Sequence, residues 1–258
     1  MKYLLVAVML AQISLVSVEQ EIEIGKEANA QVRKDVPQVG DAQATAYIHG
    51  IGQRLVRAAP GPKYPYSFTM ADYREINAFA LPGGPVWINR GVVHTATSES
   101  QVAGVLAHEV AHIAQRHAAD QLTKATVANL GLGLLGAVLG NGGGAGAAQM
   151  TAGFLANGVF LKFSRDDERE ADQVGLQILR KAGWDGRGMV ELFQILQREQ
   201  KTNPGSVATF FSSHPSPQDR IGRLQGMAGS GGTRDSQQFQ TIRTRLMRMP
   251  APRAMPRD

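Results

Sequence analysis

Apolar residues recur at the spacing of one helical face between residues 20 and 58, with charged residues between them. The pattern predicts two amphipathic helices separated by a break at residues 37–40, where a proline and a glycine stand. Over residues 66–89 the pattern changes to short runs of β-forming residues, two of which flank a Pro-Gly-Gly-Pro turn at residues 82–85. These runs predict a small antiparallel sheet.

Three later segments show helical periodicity again. The first covers residues 98–117 and opens with a capping-box pattern, in which Ser98 is followed by Gln101. The second covers residues 166–182 and the third begins after Asp185. The chain is therefore expected to be an α+β protein that is mainly helical and carries one small antiparallel sheet.

Residues 125–161 are apolar and rich in glycine, and no acidic residue lies between Asp120 and Asp166. The pattern predicts a helical hairpin with arms of ~15 residues, which falls short of the ~20 residues that cross a bilayer. We favour a flap or packed hairpin over membrane insertion, and contact with a membrane surface through 125–161 is the alternative.

The chain begins with one positive charge, Lys2, before an apolar run that reaches Val18. This layout predicts a secretory signal peptide over residues 1–18, because the run is too short and too often interrupted by polar residues to span a bilayer. An uncleaved anchor is the alternative. The expected location is the periplasm, in soluble or membrane-associated form.

The remaining length suits one enzyme-sized core, since single cores stop growing near ~250–300 residues. We assign residues 19–225 to one catalytic domain and residues 226–258 to a tail rich in Gly, Pro and Arg. Within the tail, Phe239, Ile242 and Leu246 predict one short helix, and the rest is expected to be disordered.

Composition and charge limit the classes of function that the chain can have. Cysteine is absent, so a transition-metal site would have to use histidine and carboxylate ligands. The formal net charge is +5, but the leader carries one of these charges and the tail carries four, which leaves residues 19–225 neutral. This region has no basic face with groove-reading motifs, and no nucleic-acid partner is predicted.

The run His-Glu-Val-Ala-His at residues 108–112 carries the strongest chemical signal. Residues four apart lie one above the other on a helix, so His108 and His112 would present both imidazoles to one point. Glu109 would stand beside that point without binding the metal, where it can take a proton from water. The spacing predicts a zinc site with Glu109 as general base.

A catalytic zinc site needs a third protein ligand, and the candidates are concentrated in residues 164–172. Glu168 and Asp172 share one helical face, so we favour Glu168 as the ligand and Asp172 as its neighbour that orients a zinc-bound histidine. Asp167 and Glu170 are expected to be solvated.

Four separated motifs in this order, at residues 77–84, 108–117, 164–172 and 214–220, resemble metallopeptidase family forty-eight. These gluzincins include HtpX, the CAAX prenyl proteases and BepA, and the resemblance covers about residues 20–225. It implies a zincin-type domain that holds one Zn²⁺ per chain, with Glu168 as third ligand and Asp172 in support. The chain looks closest to the soluble, exported BepA-like branch. It has no room after Arg220 for helical repeats, so we do not predict that it recognises partners through such repeats.

The mechanism implied is hydrolysis of a peptide bond at zinc, with Glu109 moving the proton. His214 and Arg220 are the candidates to stabilise the oxyanion. Alternatively, His214 occupies the open zinc position and keeps the enzyme latent. His117 follows His112 by five residues, so it is expected to point away from the site and to be structural.

The segment Asn77, Ala78 and Phe79 is expected to form the edge strand on which an extended substrate lies, although Phe79 is equally suited to the core. The predicted function is therefore a zinc-dependent endopeptidase that cleaves exported or misfolded envelope proteins in protein quality control. Its partner would be an extended or unfolded polypeptide. The alternative is a chaperone or assembly factor of the cell envelope on a protease fold.

Overall fold

The computed structural model describes residues 14–124, 162–214 and 218–256. Two helices come first, α1 (Val18–Asp35) and α2 (Ala42–Val56), followed by the strands β1 (Ser67–Ala71), β2 (Ala78–Ala80) and β3 (Pro85–Asn89). The later helices are α3 (Arg90–Thr95), α4 (Glu99–Ala114), α5 (Arg165–Lys181), α6 (Arg187–Thr202), α7 (Ala208–Ser213), α8 (Gln218–Met227) and α9 (Gln237–Arg248). The predicted α+β class, mainly helical with a small sheet, is confirmed.

The first two helices begin where their sequences provide caps. Ser17 and Gln20 form a reciprocal capping box at the start of α1. The side chain of Asp41 accepts hydrogen bonds from two backbone amides at the start of α2. Both caps satisfy amides that would otherwise lack an intrahelical partner. Helix α1 ends at Asp35 and α2 begins at Ala42, so the predicted break between the helices is confirmed.

The sheet is mixed, with strand order β1-β3-β2, and the prediction of a purely antiparallel sheet is wrong. The turn at residues 82–85 reverses the chain as predicted, so β2 and β3 are antiparallel. Because β3 occupies the centre and runs in the same direction as β1, these two strands are parallel. Gly83 in the turn has φ +69°, and a Cβ there would lie 2.4 Å from backbone atoms of α1, so only glycine fits.

Helix α4 forms the centre of the molecule, and all of its residues are buried. It packs against α5 and α6 on one side and against the sheet on another. Two glycines allow α5 and α6 to approach α4 closely. A Cβ at Gly175 of α5 would lie 3.1 Å from the Cα of His108, and one at Gly104 would lie 2.9 Å from the Cα of Met189 in α6. The packing therefore brings α5 directly against the His-Glu run.

Helix α4 is shorter than predicted and is capped differently. The side chain of Ser98 caps nothing. The first amides of α4 instead donate to the tail, from Glu99 N to Asp235 Oδ1 at 3.1 Å and from Ser100 N to Arg234 O at 2.9 Å. The predicted capping box is wrong because distant residues supply those acceptors.

At its other end α4 stops at Ala114, and the chain turns at Arg116, which has φ +62°. Residues 117–124 are helical again. A left-handed conformation at a residue other than glycine is uncommon. Arg116 is held there by Glu21 of α1, whose Oε2 lies 3.0 Å from Arg116 Nε.

The residues just before α1 belong to the packed structure. Val16 is buried against Ala119 and Leu122, and the backbone amide of Leu15 donates to Thr123 Oγ1 at 3.0 Å. Residues 14–17, which we assigned to the leader, thus contact the segment that follows α4. Processing of the leader stays a prediction.

The C-terminal tail is ordered against the domain over the residues that the structure describes. The predicted short helix is α9, which buries Phe239, Ile242 and Leu246. The expectation of disorder around it is wrong, because Thr233 pairs with Trp184 and Arg253 pairs with Tyr73 in isolated bridges.

Among the described ranges, no helix is both long enough and apolar enough to cross a membrane. The predicted hairpin at residues 125–161 lies outside these ranges, as do residues 1–13 of the predicted leader.

Candidate metal centre

The two histidines of α4 meet at one point in the interior. Their Nε2 atoms are 3.0 Å apart, and both side chains are almost fully buried. The i, i+4 spacing on a regular helix produces this convergence, as the sequence predicted.

Glu168 of α5 completes the group. Its carboxylate oxygens lie 3.4 Å from His112 Nε2 and 3.6 Å from His108 Nε2. Ligand atoms bound tetrahedrally at zinc distances of ~2.0–2.1 Å would stand ~3.3 Å apart. The donor set and its spacing therefore fit a zinc ion without rearrangement of either helix.

The electrostatics of His112 and Glu168 suit a cation. Burial holds the pKa of His112 well below its usual range, so the ring is in the neutral form that binds metals. Burial alone would raise the pKa of Glu168, but His214 and Arg220 beside it hold that pKa well below its usual range. Glu168 is therefore an anion facing a neutral imidazole.

Glu109 stands in the same site without a hydrogen-bond partner among the residues that the structure describes. Both carboxylate oxygens are buried and make no hydrogen bond to any described residue. The imidazole of His214 lies beside it, with Nε2 3.7 Å from Glu109 Oε1. Burial raises the pKa of Glu109, which brings this carboxylate closer to the range that suits a general base. An unpaired buried carboxylate is costly unless a ligand or water completes it.

Asp172 of α5 and Arg220 of α8 support the ligands. Asp172 Oδ1 lies 3.3 Å from His108 Nδ1, where it can orient the ring. The guanidinium of Arg220 donates to Asp172 at 2.7 and 2.8 Å, and its Nη1 lies 2.6 Å from Glu168 Oε2. Arg220 thus holds both carboxylates in place. Its predicted action on the oxyanion stays a prediction.

His214 lies among the ligands. Its Nδ1 is 2.8 Å from Glu168 Oε1, and its ring stacks on Phe210 with centroids 4.7 Å apart. The donor atoms of His108, His112, Glu168 and His214 all lie within 4.8 Å of one another. The structure therefore offers four donors, namely the three predicted ligands and His214, whose alternative predicted place is the open zinc position.

The prediction that His117 points away from the site is wrong. Its Nδ1 is 2.9 Å from His112 Nδ1, and its Nε2 is 3.3 Å from Glu170 Oε2. The turn at Arg116 ends the helical register, so the i+5 argument does not apply. Phe163, which lies outside the predicted motifs, stacks on His112 at a centroid distance of 3.9 Å.

The predicted substrate strand lies where β2 begins. Strand β2 pairs with β3 on one edge, and no described strand pairs with its other edge. The side-chain amide of Asn77 is buried and has no hydrogen-bond partner among described residues. Ala78 is buried, and Phe79 stacks flat on Trp87 with centroids 6.1 Å apart, which gives Phe79 a core contact. Substrate binding by these residues stays a prediction.

Comparison with known proteins agrees with this geometry. A family model described as Peptidase family M48 matches residues 42–228. The beta-barrel assembly-enhancing protease of Escherichia coli (strain K12) is 33% identical over 223 residues, which are 83% of this chain and 45% of that protein. The corresponding Yersinia pestis protein is 31% identical over 243 residues, 90% of this chain and 49% of that protein.

A mitochondrial relative is also similar. The mitochondrial metalloendopeptidase OMA1 of Schizosaccharomyces pombe is 29% identical over 181 residues, which cover 70% of this chain and 52% of that protein. The chain therefore spans about half the length of these relatives.

Two imidazoles and a base on one helix, completed by a glutamate from another, are the arrangement of the HExxH metallopeptidases, and the α+β fold around them agrees with that class. The family follows from the match over most of the domain. The chain belongs to peptidase family M48, and the predicted resemblance to metallopeptidase family forty-eight is confirmed.

Proposed function

We propose that this protein is a zinc-dependent endopeptidase that binds one zinc ion per chain. The observation that carries the proposal is Glu109, a buried carboxylate with no hydrogen-bond partner among the described residues, which stands beside three matched metal ligands. Two imidazoles and a carboxylate suit zinc, and a glutamate placed next to them can activate water there.

The chain's own residues would perform the proton transfers. The chemistry that zinc supplies when bound is Lewis acidity toward the scissile carbonyl and toward water. Glu109 accepts a proton from the attacking water and returns it to the leaving amine. Asp172 and Arg220 keep His108 and Glu168 in position, so the ligands need not reorganise during the reaction.

The substrate we propose is an extended or unfolded polypeptide. The place of β2 at the edge of the described sheet supports this proposal, because an added strand could form main-chain hydrogen bonds there, with the amide of Asn77 beside it. The apolar leader pattern and the names of the bacterial relatives, which refer to β-barrel assembly, support exported envelope proteins as substrates and the periplasm as the location.

Removal of the metal tests the proposal directly. Purified protein is expected to cleave unfolded casein, to lose that activity after treatment with a chelator, and to regain it when stoichiometric zinc is added. Cleavage would be measured by release of labelled peptides. Full cleavage by protein shown to be metal-free would contradict the proposal.

We further propose that His214 occupies the fourth zinc position and keeps the site latent. The support is its place among the donors, with Nδ1 2.8 Å from Glu168 Oε1, in a position where a substrate carbonyl or water would have to enter. His214→Ala is then expected to raise casein cleavage several-fold, because the position opens.

The same variant separates this role from an oxyanion role. A fall in kcat of ~10²-fold with zinc still bound would mean that His214 helps the reaction. Unchanged activity would exclude both roles. Phe211→Ala, which truncates a partly buried neighbour in α7, controls for loosening of that helix.

A further inference from the structure

We propose that His117 and Glu170 form a relay that holds His112 in the tautomer and orientation that bind the metal. The inference rests on the proposed zinc site, which it extends beyond the ligands themselves. It assigns positioning roles to one histidine expected to be structural and to one glutamate expected to be solvated.

The geometry is a continuous line of contacts that begins at the metal-binding nitrogen. His112 turns Nε2 toward His108 and Glu168, and its opposite ring nitrogen, Nδ1, lies 2.9 Å from Nδ1 of His117. Nε2 of His117 then lies 3.3 Å from Glu170 Oε2. His117 is only 1% exposed, whereas the Glu170 side chain is 48% exposed, so the line runs from the interior to the solvent.

Hydrogen positions in this line follow from simple chemistry. A histidine that binds a metal through Nε2 carries its proton on Nδ1 and donates it. The only role left for His117 Nδ1 is then that of acceptor, so the proton of His117 must be on Nε2. That N–H faces the carboxylate of Glu170, an acceptor only. Each atom therefore has one role, and Glu170 selects the tautomer of His117 that can accept from His112.

The two ligand histidines are thus supported differently. His108 faces Asp172 directly, and Asp172 is held by Arg220. Between His112 and the carboxylate of Glu170 lies the imidazole of His117. Phe163 lies flat against the His112 ring, at an interplanar angle of 27°. Stacking constrains the plane of the ring but cannot choose which nitrogen carries the proton, so that choice depends on His117.

The tertiary structure builds this relay through the turn after α4. Arg116 adopts its left-handed conformation while its Nε donates to Glu21 Oε2, which also accepts from Tyr64 Oη at 2.6 Å. The turn starts a new helical segment at His117 and directs that side chain back toward His112. Gln115 Nε2 donates to Glu170 Oε1 at 2.5 Å and so holds the carboxylate from its other side.

Loss of the acceptor should weaken metal binding. Removal of groups that orient metal ligands typically costs ~10–100-fold in metal affinity. His117→Leu keeps an apolar volume but leaves His112 Nδ1–H without a partner, so zinc affinity is expected to fall within that range. His117→Asn places an amide oxygen near the position of Nδ1, and it is expected to restore affinity to within ~3-fold of the unmodified chain.

The experiment measures zinc dissociation constants of the full chain by competition with a chromophoric chelator. The variants are His117→Leu, His117→Asn and Glu170→Gln. The matched control is Asp166→Asn, which neutralises an exposed carboxylate on the same helix. Glu170→Gln is expected to weaken zinc by a few-fold, and the control is expected to change nothing. Cobalt-substituted protein adds a spectroscopic readout, because a reoriented imidazole changes the visible absorption bands.

The outcomes separate this relay from the zinc site itself. Equal zinc affinities and cobalt spectra for the unmodified chain, His117→Leu and Glu170→Gln would overturn the relay and leave the proposed function standing. Failure of the unmodified chain to bind zinc would overturn both. If His117→Leu does not fold, as judged by thermal unfolding, then His117→Asn and Glu170→Gln decide. Weaker zinc binding by Glu170→Gln, beside near-normal zinc binding by His117→Asn, supports the relay.

Discussion

Glu109→Gln is expected to lower kcat for peptide cleavage by at least ~10²–10⁴-fold, while zinc stays bound. The amide keeps the volume of the carboxylate but cannot accept a proton at neutral pH, so the attacking water loses its base. The ligands His108, His112 and Glu168 are unchanged by this substitution. We expect one equivalent of zinc per chain and an unfolding midpoint at or above that of the unmodified protein, because a buried unpaired charge is removed.

The measurement is steady-state casein cleavage beside metal content determined on the same preparation. Glu23→Gln, which changes an exposed glutamate on α1 to the same amide, is the matched control and is expected to be fully active. Retention of full activity by Glu109→Gln would sink the proposed mechanism. An inactive variant that had also lost its zinc would leave the result attributable to the metal site, so the metal content must be reported with the rate.

Arg90→Met is expected to destabilise the protein by ~3 kcal/mol. Arg90 begins α3 and is 1% exposed. Its guanidinium donates to Asp72 Oδ1 at 2.8 Å and to the carbonyls of Leu246 and Pro250 at 2.7 and 2.9 Å. Methionine fills much of the same space but offers no donor, so these acceptors would lose their partner.

Urea unfolding followed by circular dichroism would measure the loss. Arg74→Met removes an arginine that is largely exposed and pairs with its neighbour Glu75, and little change is expected there. Limited proteolysis should also show earlier cleavage after α9 in Arg90→Met, since Arg90 ties the chain at Leu246 and Pro250 to the domain. A loss of stability no larger than that of Arg74→Met would mean that the tail is held by its apolar contacts instead.

The local chemistry of this protein was readable from short stretches of sequence. The spacing of His108 and His112 is a property of any regular helix, so their convergence needed only the prediction that α4 is helical. The same argument placed Glu168 and Asp172 on one face of α5, and the family resemblance implied that Glu168 is the third ligand. The turn at residues 82–85 was readable because its glycines and prolines restrict the backbone to a few conformations.

The errors have a common physical origin in contacts between residues far apart in the chain. The parallel pairing of β1 with β3 depends on which strand takes the centre of the sheet, and alternation of side chains does not encode that order. The cap of α4 comes from Asp235, more than a hundred positions away, although Ser98 and Gln101 match the local pattern.

Contacts with distant residues also explain why the tail is ordered. Its Gly- and Pro-rich composition indicates disorder when the segment is considered alone. Arg90 and the bridge from Tyr73 to Arg253 supply partners that composition cannot show. An exposed-looking segment thus becomes ordered because a buried donor elsewhere in the fold requires acceptors.

The sequence by itself determined the chemistry of this protein: two imidazoles and a base on one helix, and a carboxylate on a second. That was possible because, within each of these two helices, residues three or four positions apart lie on one face. Only the tertiary structure decided what surrounds them: His214 among the ligands, Arg220 on both carboxylates, and His117 behind His112. These placements depend on how α5, α7 and the turn at Arg116 pack around α4, and such packing is set by the whole core.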